Sequence, residues 1–397
     1  MRSRRILSLF LIAGLLTVQT GCWSSKEIED LSMYIGLAMD TGEPTAVERE
    51  LEKQGGDYPK RNLITATIQI VPTRKAGNNN QQSDKGNTSE YLNTSETGDS
   101  LLEIMRQYSL RRERAVIGHH LKVIVVSTDL ARKQSIDKLM DFVLRDNDIR
   151  PSCIVLLSKG LARKTLEMGH PGEIPTFNLR DMLRERFRTS KIMKEVNLTE
   201  LDERLGSKQS FLLQEVSAFG EETKFTGAGI IKGETGKWIG TLGQTDVESV
   251  AWIHGDVEGG AIKSYDWRNE PITYEIEDAK SQITPRIEEG QLSFHVKIES
   301  EGRLIENWDL EEDPSKTEFL EKATKIFEKR LNQMLETAMH KMQSEYKTDV
   351  AGFGNRLRIT HPKYWKEVED HWDDVFSLTP VTFDIKLSIT DYGSSKK

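Results

Sequence analysis

The sequence predicts an α+β protein built from three mixed α/β domains, with mixed and antiparallel sheets flanked by helices. Three observations predict it. Between His120 and Met168, apolar strand-like runs alternate with amphipathic helical runs, which is the pattern of a crossover unit with parallel pairing. Between Phe211 and Ile253 the strand-like runs are short and interrupted by glycines. Beyond Pro271, alternating apolar and polar residues lead into one long apolar-striped helix and a last alternating strand.

The chain opens with a segment that precedes the fold. Arg2, Arg4 and Arg5 form a positive head, and Ile6 to Val18 is an apolar run of 13 residues broken only by Ser8 and Thr17. Gln19, Thr20 and Gly21 then lead into Cys22. This is the layout of a secretory signal peptide over residues 1–21, and the run is short for a membrane span, which needs roughly 20 residues. A small residue before cysteine at such a point is the acceptor arrangement of bacterial lipoproteins. The Cys22 thiol is therefore expected to carry diacylglycerol and to become the first residue after cleavage. Gln19 stands where these signals usually carry leucine. Losing three arginines and no acid moves the formal charge from −8 to −11. That acidity argues against a nucleic-acid partner and against attachment driven by lipid charge, so attachment is expected from Cys22. With Cys22 acylated, Cys153 has no intramolecular disulfide partner, and its setting in Cys-Ile-Val-Leu-Leu reads as a buried free thiol.

Residues 22–200 read as an N-terminal α/β domain. Trp23 to Leu31 is expected as a short helix with Ser24 or Ser25 as its cap, and Tyr34 to Met39 as a strand. Leu63 to Val71 is a strand with Ile64, Ala66, Ile68 and Ile70 on one face, ended by Pro72. Residues 73–99, rich in Asn, Gln, Ser, Thr and Gly, are expected as an exposed, mobile loop. A helix over Ser100 to Ser109 follows, then the strand His120 to Val126 and a helix over Leu130 to Leu144. The polar turn Arg145 to Arg150 leads to the strand Cys153 to Leu157 and a short helix over Leu161 to Met168. Pro171, Gly172 and Pro175 break the chain. Leu179 to Val196 then reads as a basic amphipathic helix with a solvated charged face.

Residues 201–268 are expected as a small glycine-rich middle domain, with a hairpin turn at Lys232-Gly-Glu-Thr-Gly-Lys. Gly227 and Gly229 lack the GxGxxG spacing of a nucleotide loop. Residues 269–397 read as a C-terminal α+β domain. Ile283–Ile287 and Leu292–Ile298 form an antiparallel pair, and Ser315 to Tyr346 is a helix striped by Phe319, Ala323, Phe327, Leu331, Leu335 and Met342. The strict alternation from Val381 is expected as a half-buried antiparallel strand.

No constellation of catalytic or metal-binding residues stands out, so the chain is not expected to be an enzyme, and no cofactor is implied. His119 and His120 are adjacent, and His361 and His371 lie around Trp365 and Trp372, a pair expected to pack in a core. There is no HExxH, no cysteine pair and no G-x-S-x-G.

The order of several short motifs resembles the Ger(x)C family, the lipoprotein C-subunit of nutrient germinant receptors of spore-forming bacteria. Gly21-Cys22-Trp23 with Glu27-Ile28, Leu31 and the run to Asp40 resembles the family's start, with Ser24 where aspartate is usual. Leu63 to Pro72, His120 to Val126 and Arg145 to Arg150 resemble its N-terminal segments. Phe225-Thr-Gly-Ala-Gly-Ile-Ile-Lys, Ile239-Gly-Thr-Leu and Gly259-Gly260-Ala-Ile resemble its middle motifs. Asp349-Val-Ala-Gly-Phe-Gly, Pro362, Trp365, Trp372 and Phe376 resemble its ending. The resemblance implies a non-catalytic lipoprotein at the spore inner membrane, acting with a polytopic A-subunit and a permease-like B-subunit in germination. A surface solute-binding lipoprotein is the alternative, and it would need two matched lobes around one cleft.

Overall fold

A computed structural model describes residues 31–42, 49–50, 53–54, 61–71, 90–110, 114–167, 169 and 172–392. The expected signal peptide, Cys22 and the helix over Trp23 to Leu31 lie outside these residues, apart from Leu31 itself. The fold is a mixed α/β architecture of two sheets flanked by helices.

Among the described residues the first sheet has nine strands. Its elements in chain order are β1 (Leu31–Thr41), β2 (Ile64–Val71), β3 (Leu92–Gly98), α1 (Leu101–Gln107), β4 (Ala115–Ile117), β5 (Val123–Ser127), α2 (Thr128–Lys133), α3 (Ile136–Arg145), β6 (Ile154–Lys159), α4 (Ala162–Thr165), α5 (Pro175–Leu183), α6 (Leu198–Ser207), β7 (Phe211–Phe219), β8 (Glu222–Lys232) and β9 (Lys237–Gly243). The strand order is β3-β2-β1-β5-β6-β7-β8-β9, with β4 beside the start of β1. β1, β5, β6 and β7 are parallel, as expected for strands joined by helical crossovers, and both outer pairs are antiparallel hairpins. β5 and the first five residues of β6 are fully buried, because helices lie on both faces. Leu101, Ile104, Leu139, Met140 and Leu201 cover one face, and Ala162, Leu166, Leu179 and Leu183 cover the other.

Several local expectations are corrected here. Leu92–Gly98, expected as part of a loop, is β3, while residues 72–89 lie outside the described residues. The helix expected over Leu130 to Leu144 is two helices, α2 and α3. Gln134 and Ser135 are extended, the Gln134 amide donates to the Asn62 carbonyl (2.9 Å), and the Ile136 N–H donates to Gly236 O (2.8 Å). The basic helix expected over Leu179 to Val196 starts earlier, at Pro175, ends at Leu183 and tightens into a 3₁₀ turn over Arg184–Arg188. Beyond it the chain is held by tertiary bonds instead: Ser190 Oγ donates to Gly259 O (2.7 Å), and Met193 N donates to Gln214 Oε1 (2.7 Å). The hairpin strands of the glycine-rich stretch, β7 to β9, hydrogen-bond onto β6 and continue the first sheet.

The chain continues through α7 (Gln244–His254) to a second sheet of β10 (Gly260–Tyr265), β11 (Pro271–Glu288), β12 (Gln291–Asn307) and β13 (Val381–Asp391), in that order. The β11–β12 hairpin turns through Glu289 and Gly290, both at positive φ (51° and 80°), the signature of a two-residue turn. Between β12 and β13 run α8 (Thr317–His340), a π turn at Lys341–Glu345, then α9 (Phe353–Thr360), α10 (Pro362–Val368) and α11 (Trp372–Leu378). β13 pairs with β12 in parallel, not antiparallel as expected. The intervening helices carry the chain back to the start of β12, where Val381 meets Phe294, so the last strand enters in the same direction. One core joins the two sheets. It contains Leu212, Ala228, Ile230 and Leu242 of the first sheet, Val247 and Trp252 of α7, and Phe294, Phe327 and Phe353 from the second unit.

Candidate functional site

The junction between the sheets gathers most of the buried charge. It is built on two local devices. At the hairpin, Gly227 has φ +147°, and a Cβ there would lie 2.0 Å from the Leu242 carbonyl oxygen, so β8 and β9 approach only because the side chain is absent. Beside it, Glu215 of β7 accepts hydrogen bonds from Thr241 (2.7 Å) and Thr226 (3.4 Å).

The second device is Asp349, in the loop before α9. Its Oδ1 accepts from the N–H groups of Ala351 (3.1 Å), Gly352 (3.0 Å) and Phe353 (3.3 Å). Its Oδ2 accepts from Gly354 N (2.7 Å) and from the Trp372 indole (3.0 Å). One carboxylate thus satisfies the donors that open α9 and fixes α11 against it. Burial pushes the Asp349 carboxyl upward, and these hydrogen bonds pull it back. Gly354 is required because a Cβ would meet Trp372 Nε1 at 2.6 Å. Trp365 and Trp372 stack as a tilted pair 5.4 Å apart and are buried, as expected. Asp373 accepts from the Asp349 N–H (3.2 Å) and pairs with Lys232 at the end of β8 (2.7 Å), tying the first sheet to these helices.

Between β8, the start of α7 and α8 lies an open cleft of about 980 Å³, lined among others by Lys224, Thr226, Gln244, Asp246, Arg330 and Lys341. Asp246 accepts from Gly243 N (2.8 Å) at the helix start and pairs with Lys341 (2.6 Å). On the same helix Glu248 is buried. Burial raises its carboxyl to about 7, against the opposing pull of Lys191 and Arg330. The lining contains no histidine or cysteine. The cleft offers charges of both signs for holding a polar group.

The residues singled out in the sequence are scattered. His119 sits in the turn after β4 and pairs with Asp148 (3.3 Å), and His361 and His371 lie on the far helices. Cys153 is a buried free thiol, which burial makes hard to ionise. Among the described residues no group of three or more His, Cys, Asp or Glu side chains is placed to hold a metal, and no helix is long and apolar enough to cross a membrane. The sequence reading missed Glu215, Asp246 and Glu248. Glu248, set among Val247, Val250 and Trp252 in an otherwise buried helix, is the one with a visible signal.

Two family descriptions match the chain. "Spore germination protein N-terminal domain" covers residues 24–218, and "Spore germination B3/GerAC like, C-terminal" covers residues 226–393. The chain is 40% identical to spore germination protein YndF of Bacillus subtilis (strain 168), over 99% of this chain and 98% of that protein. It is 30% identical to spore germination protein B3 of the same organism, over 95% of each. The crystal structure of the GerBC protein matches with a TM-score of 0.61 and 27% identity, over 92% of this chain and 100% of that one. Matched in both halves by sequence and across the whole fold, the chain belongs to the GerAC/GerBC family of spore germination proteins, with the non-catalytic, germinant-receptor-associated role that membership carries.

Proposed function

We propose that this chain is the lipid-anchored, non-catalytic subunit of a nutrient germinant receptor. In this reading Cys22 carries a diacylglyceryl group, and the folded part stands on the outer face of the spore inner membrane. It acts there beside a polytopic A-subunit and a permease-like B-subunit. The observation that carries the reading is a leader ending in Gly21-Cys22 placed directly before a chain that belongs to the family in both halves. An anchor confines the protein to the plane of its partners and raises their effective concentration. Two of the buried carboxylates, Asp246 paired with Lys341 and Asp349 holding the start of α9, are engaged in fixing helices in place, which suits a scaffold.

The test is deletion of the gene, followed by dipicolinate release from purified spores given a panel of nutrients, with dodecylamine as a receptor-independent trigger. Loss of response to one nutrient class, with the dodecylamine response intact, is the expected result. Unchanged responses to every nutrient, together with failure to co-purify with polytopic partners from spore membranes, would overturn it. Cys22→Ala is expected to abolish incorporation of labelled palmitate and to reproduce the deletion.

A further inference from the structure

We infer that the end of the first sheet where Leu31 enters is the membrane-facing surface, seated on anionic lipid headgroups by Arg106, Lys122 and Arg150, with Leu110 at its apolar tip. The inference rests on Cys22 carrying the lipid, and it adds which way the folded body points.

The tether from Cys22 ends at Leu31. Eight residues lie between Cys22 and Leu31, nine backbone steps with a span of at most about 32 Å. β1 spans eleven residues, roughly 36 Å, so with the Thr41 end on the membrane Leu31 would stand at or beyond the full reach of that tether, whereas with the Leu31 end on the membrane it lies well within it. Four other segments share the Leu31 end. β4 pairs with Leu31–Met33, and the Tyr108–Leu110 turn lies against β4. Leu92 starts β3 opposite Ile70, one residue from the Val71–Met33 pair. Lys122 donates its N–H to Ile35 O, and its carbonyl accepts from Ile154, just after Arg150.

Basic residues gather at this end. From Arg106 to Lys122 the sequence holds five arginines and lysines and one acid, Glu113, in a chain of formal charge −8. Arg106 and Arg150 are exposed and Lys122 is half-buried, and none of the three forms an ion pair among the described residues. Burial, and then the nearby charges of Arg150 and Lys122, depress the affinity of His120 for a proton. The acids of the adjoining turn are engaged locally: Asp148 with His119, and Asp146 with the Asp148 N–H. Each basic side chain near an anionic surface adds to binding, and the effect decays within a Debye length, about 10 Å, so it acts only on a body already held close.

Apolar side chains are exposed there too. Leu110 is 79% exposed and Leu92 is 42% exposed, at the same end as the cations. An apolar tip within a basic rim is the composition that seats on a headgroup layer.

The test uses the full lipidated chain. Cys153 is buried and Cys22 is acylated, so an environment-sensitive thiol dye reports an introduced cysteine alone. Leu110→Cys places the dye at the proposed face, and Glu221→Cys places it in the β7–β8 turn at the opposite end of the sheet. The protein is bound to vesicles of phosphatidylcholine with phosphatidylglycerol, or of phosphatidylcholine alone, each with a nitroxide-headgroup lipid as quencher. The Leu110 dye is expected to shift to the blue and to be quenched on the anionic vesicles, and less so on the neutral ones. The Glu221 dye is expected to do neither. The triple charge reversal R106E/K122E/R150E should abolish the Leu110 signal while the protein still floats with the vesicles. A Leu110 dye that stays in water on anionic vesicles while the chain floats overturns the orientation and leaves the anchor standing, pointing to a protein partner for this face. Equal signals on both vesicle types overturn the role of charge. A wild-type chain that does not float refutes the anchor, and this inference with it.

Discussion

The two sheets of this protein solve burial differently. In the first, β5 and the first five residues of β6 are covered on both faces by helices and read as unbroken apolar runs. In the second, β12 alternates: Leu292, Phe294, Val296 and Ile298 face the helices, and Lys297, Glu299 and Glu301 face water. The first sheet is secured by layers on both sides. Among the described residues the second has helices on one face, and specific polar bonds add to the apolar packing that places them. Asp349 and the Lys232–Asp373 pair are those bonds.

The contrast is sharpest at two buried carboxylates. Asp40, on β1, accepts two backbone N–H bonds, from Ala162 (2.7 Å) and Arg163 (3.0 Å), at the start of the short α4. Asp349 accepts four backbone N–H bonds and a fifth bond from the Trp372 indole, and joins α9 to α11. Asp349→Ala leaves five donors without their acceptor and is expected to cost on the order of 4 kcal/mol in urea unfolding. Asp40→Ala should cost about 2 kcal/mol, because fewer donors are orphaned and flanking layers remain. Equal losses would show that the helices over the second sheet are held by apolar packing, and that the Asp349 bonds are incidental.

Consecutive strand positions sharpen the same comparison. Ile124→Ala and Val125→Ala, neighbours on opposite faces of β5, should each cost about 2–4 kcal/mol, since both side chains are fully buried. In β12, Val296→Ala should fall in that range, and Lys297→Ala should stay within about 0.5 kcal/mol. A neutral Val125→Ala would mean that the face bearing α4 and α5 is loosely packed.

Much of this contrast is legible in sequence, because burial on one face or two is written in hydrophobic period. The β2 face, the β11–β12 pair and the α8 stripe all follow from spacing alone. β3 does not, because Leu-Asn-Thr-Ser-Glu-Thr-Gly has the composition of a loop. It is a strand because polar side chains form its cross-strand ladder with β2: Thr65 with Thr97 (2.9 Å), Thr67 with Ser95 (2.7 Å) and Gln69 with Asn93 (3.0 Å). The direction of β13 is equally hidden, since alternation is the same for parallel and antiparallel neighbours. The cleft was invisible for a different reason. Its lining comes from residues as far apart as Lys224 and Lys341, and only the fold of the second unit brings them together. Asp349 was readable only as the first letter of a motif. Its work shows once four N–H groups and an indole are seen to converge on it.

The helix shared by both sheets carries a charge that tests the junction by pH. The Glu248 carboxyl is raised from 4.5 to about 7 by burial. Because the folded state holds this proton more tightly than the unfolded chain, its favourable contribution is complete below about pH 4.5. It is lost as the pH climbs through about 7. At pH 8 the folded state should therefore have lost about 3 kcal/mol through this group. Glu248→Gln removes the effect, so the variant should gain on the wild type steadily between pH 4.5 and 7. Parallel stability profiles for the two proteins would mean that Glu248 is solvated and that α7 does not seal the space between the sheets.

A smaller effect than these belongs to the one ion pair among the described residues that crosses from the first sheet to the helices over the second, and only Lys297→Ala should fall below it. Lys232 and Asp373 are 2.7 Å apart, with side chains 20% and 26% exposed, and Lys232 also donates to Lys347 O (3.1 Å). Its partial exposure screens the pair, and a double-mutant cycle of Lys232→Met and Asp373→Asn should give a coupling of about 1 kcal/mol that shrinks in high salt. The value matters less than its sign of cooperation. If the coupling is present in equilibrium unfolding and both sheets melt in one transition, the pair helps to make a single cooperative body of two differently built halves. If the coupling vanishes while the transition stays single, the shared apolar core around Trp252 alone unites them, and the polar staple serves only to set how the helices sit.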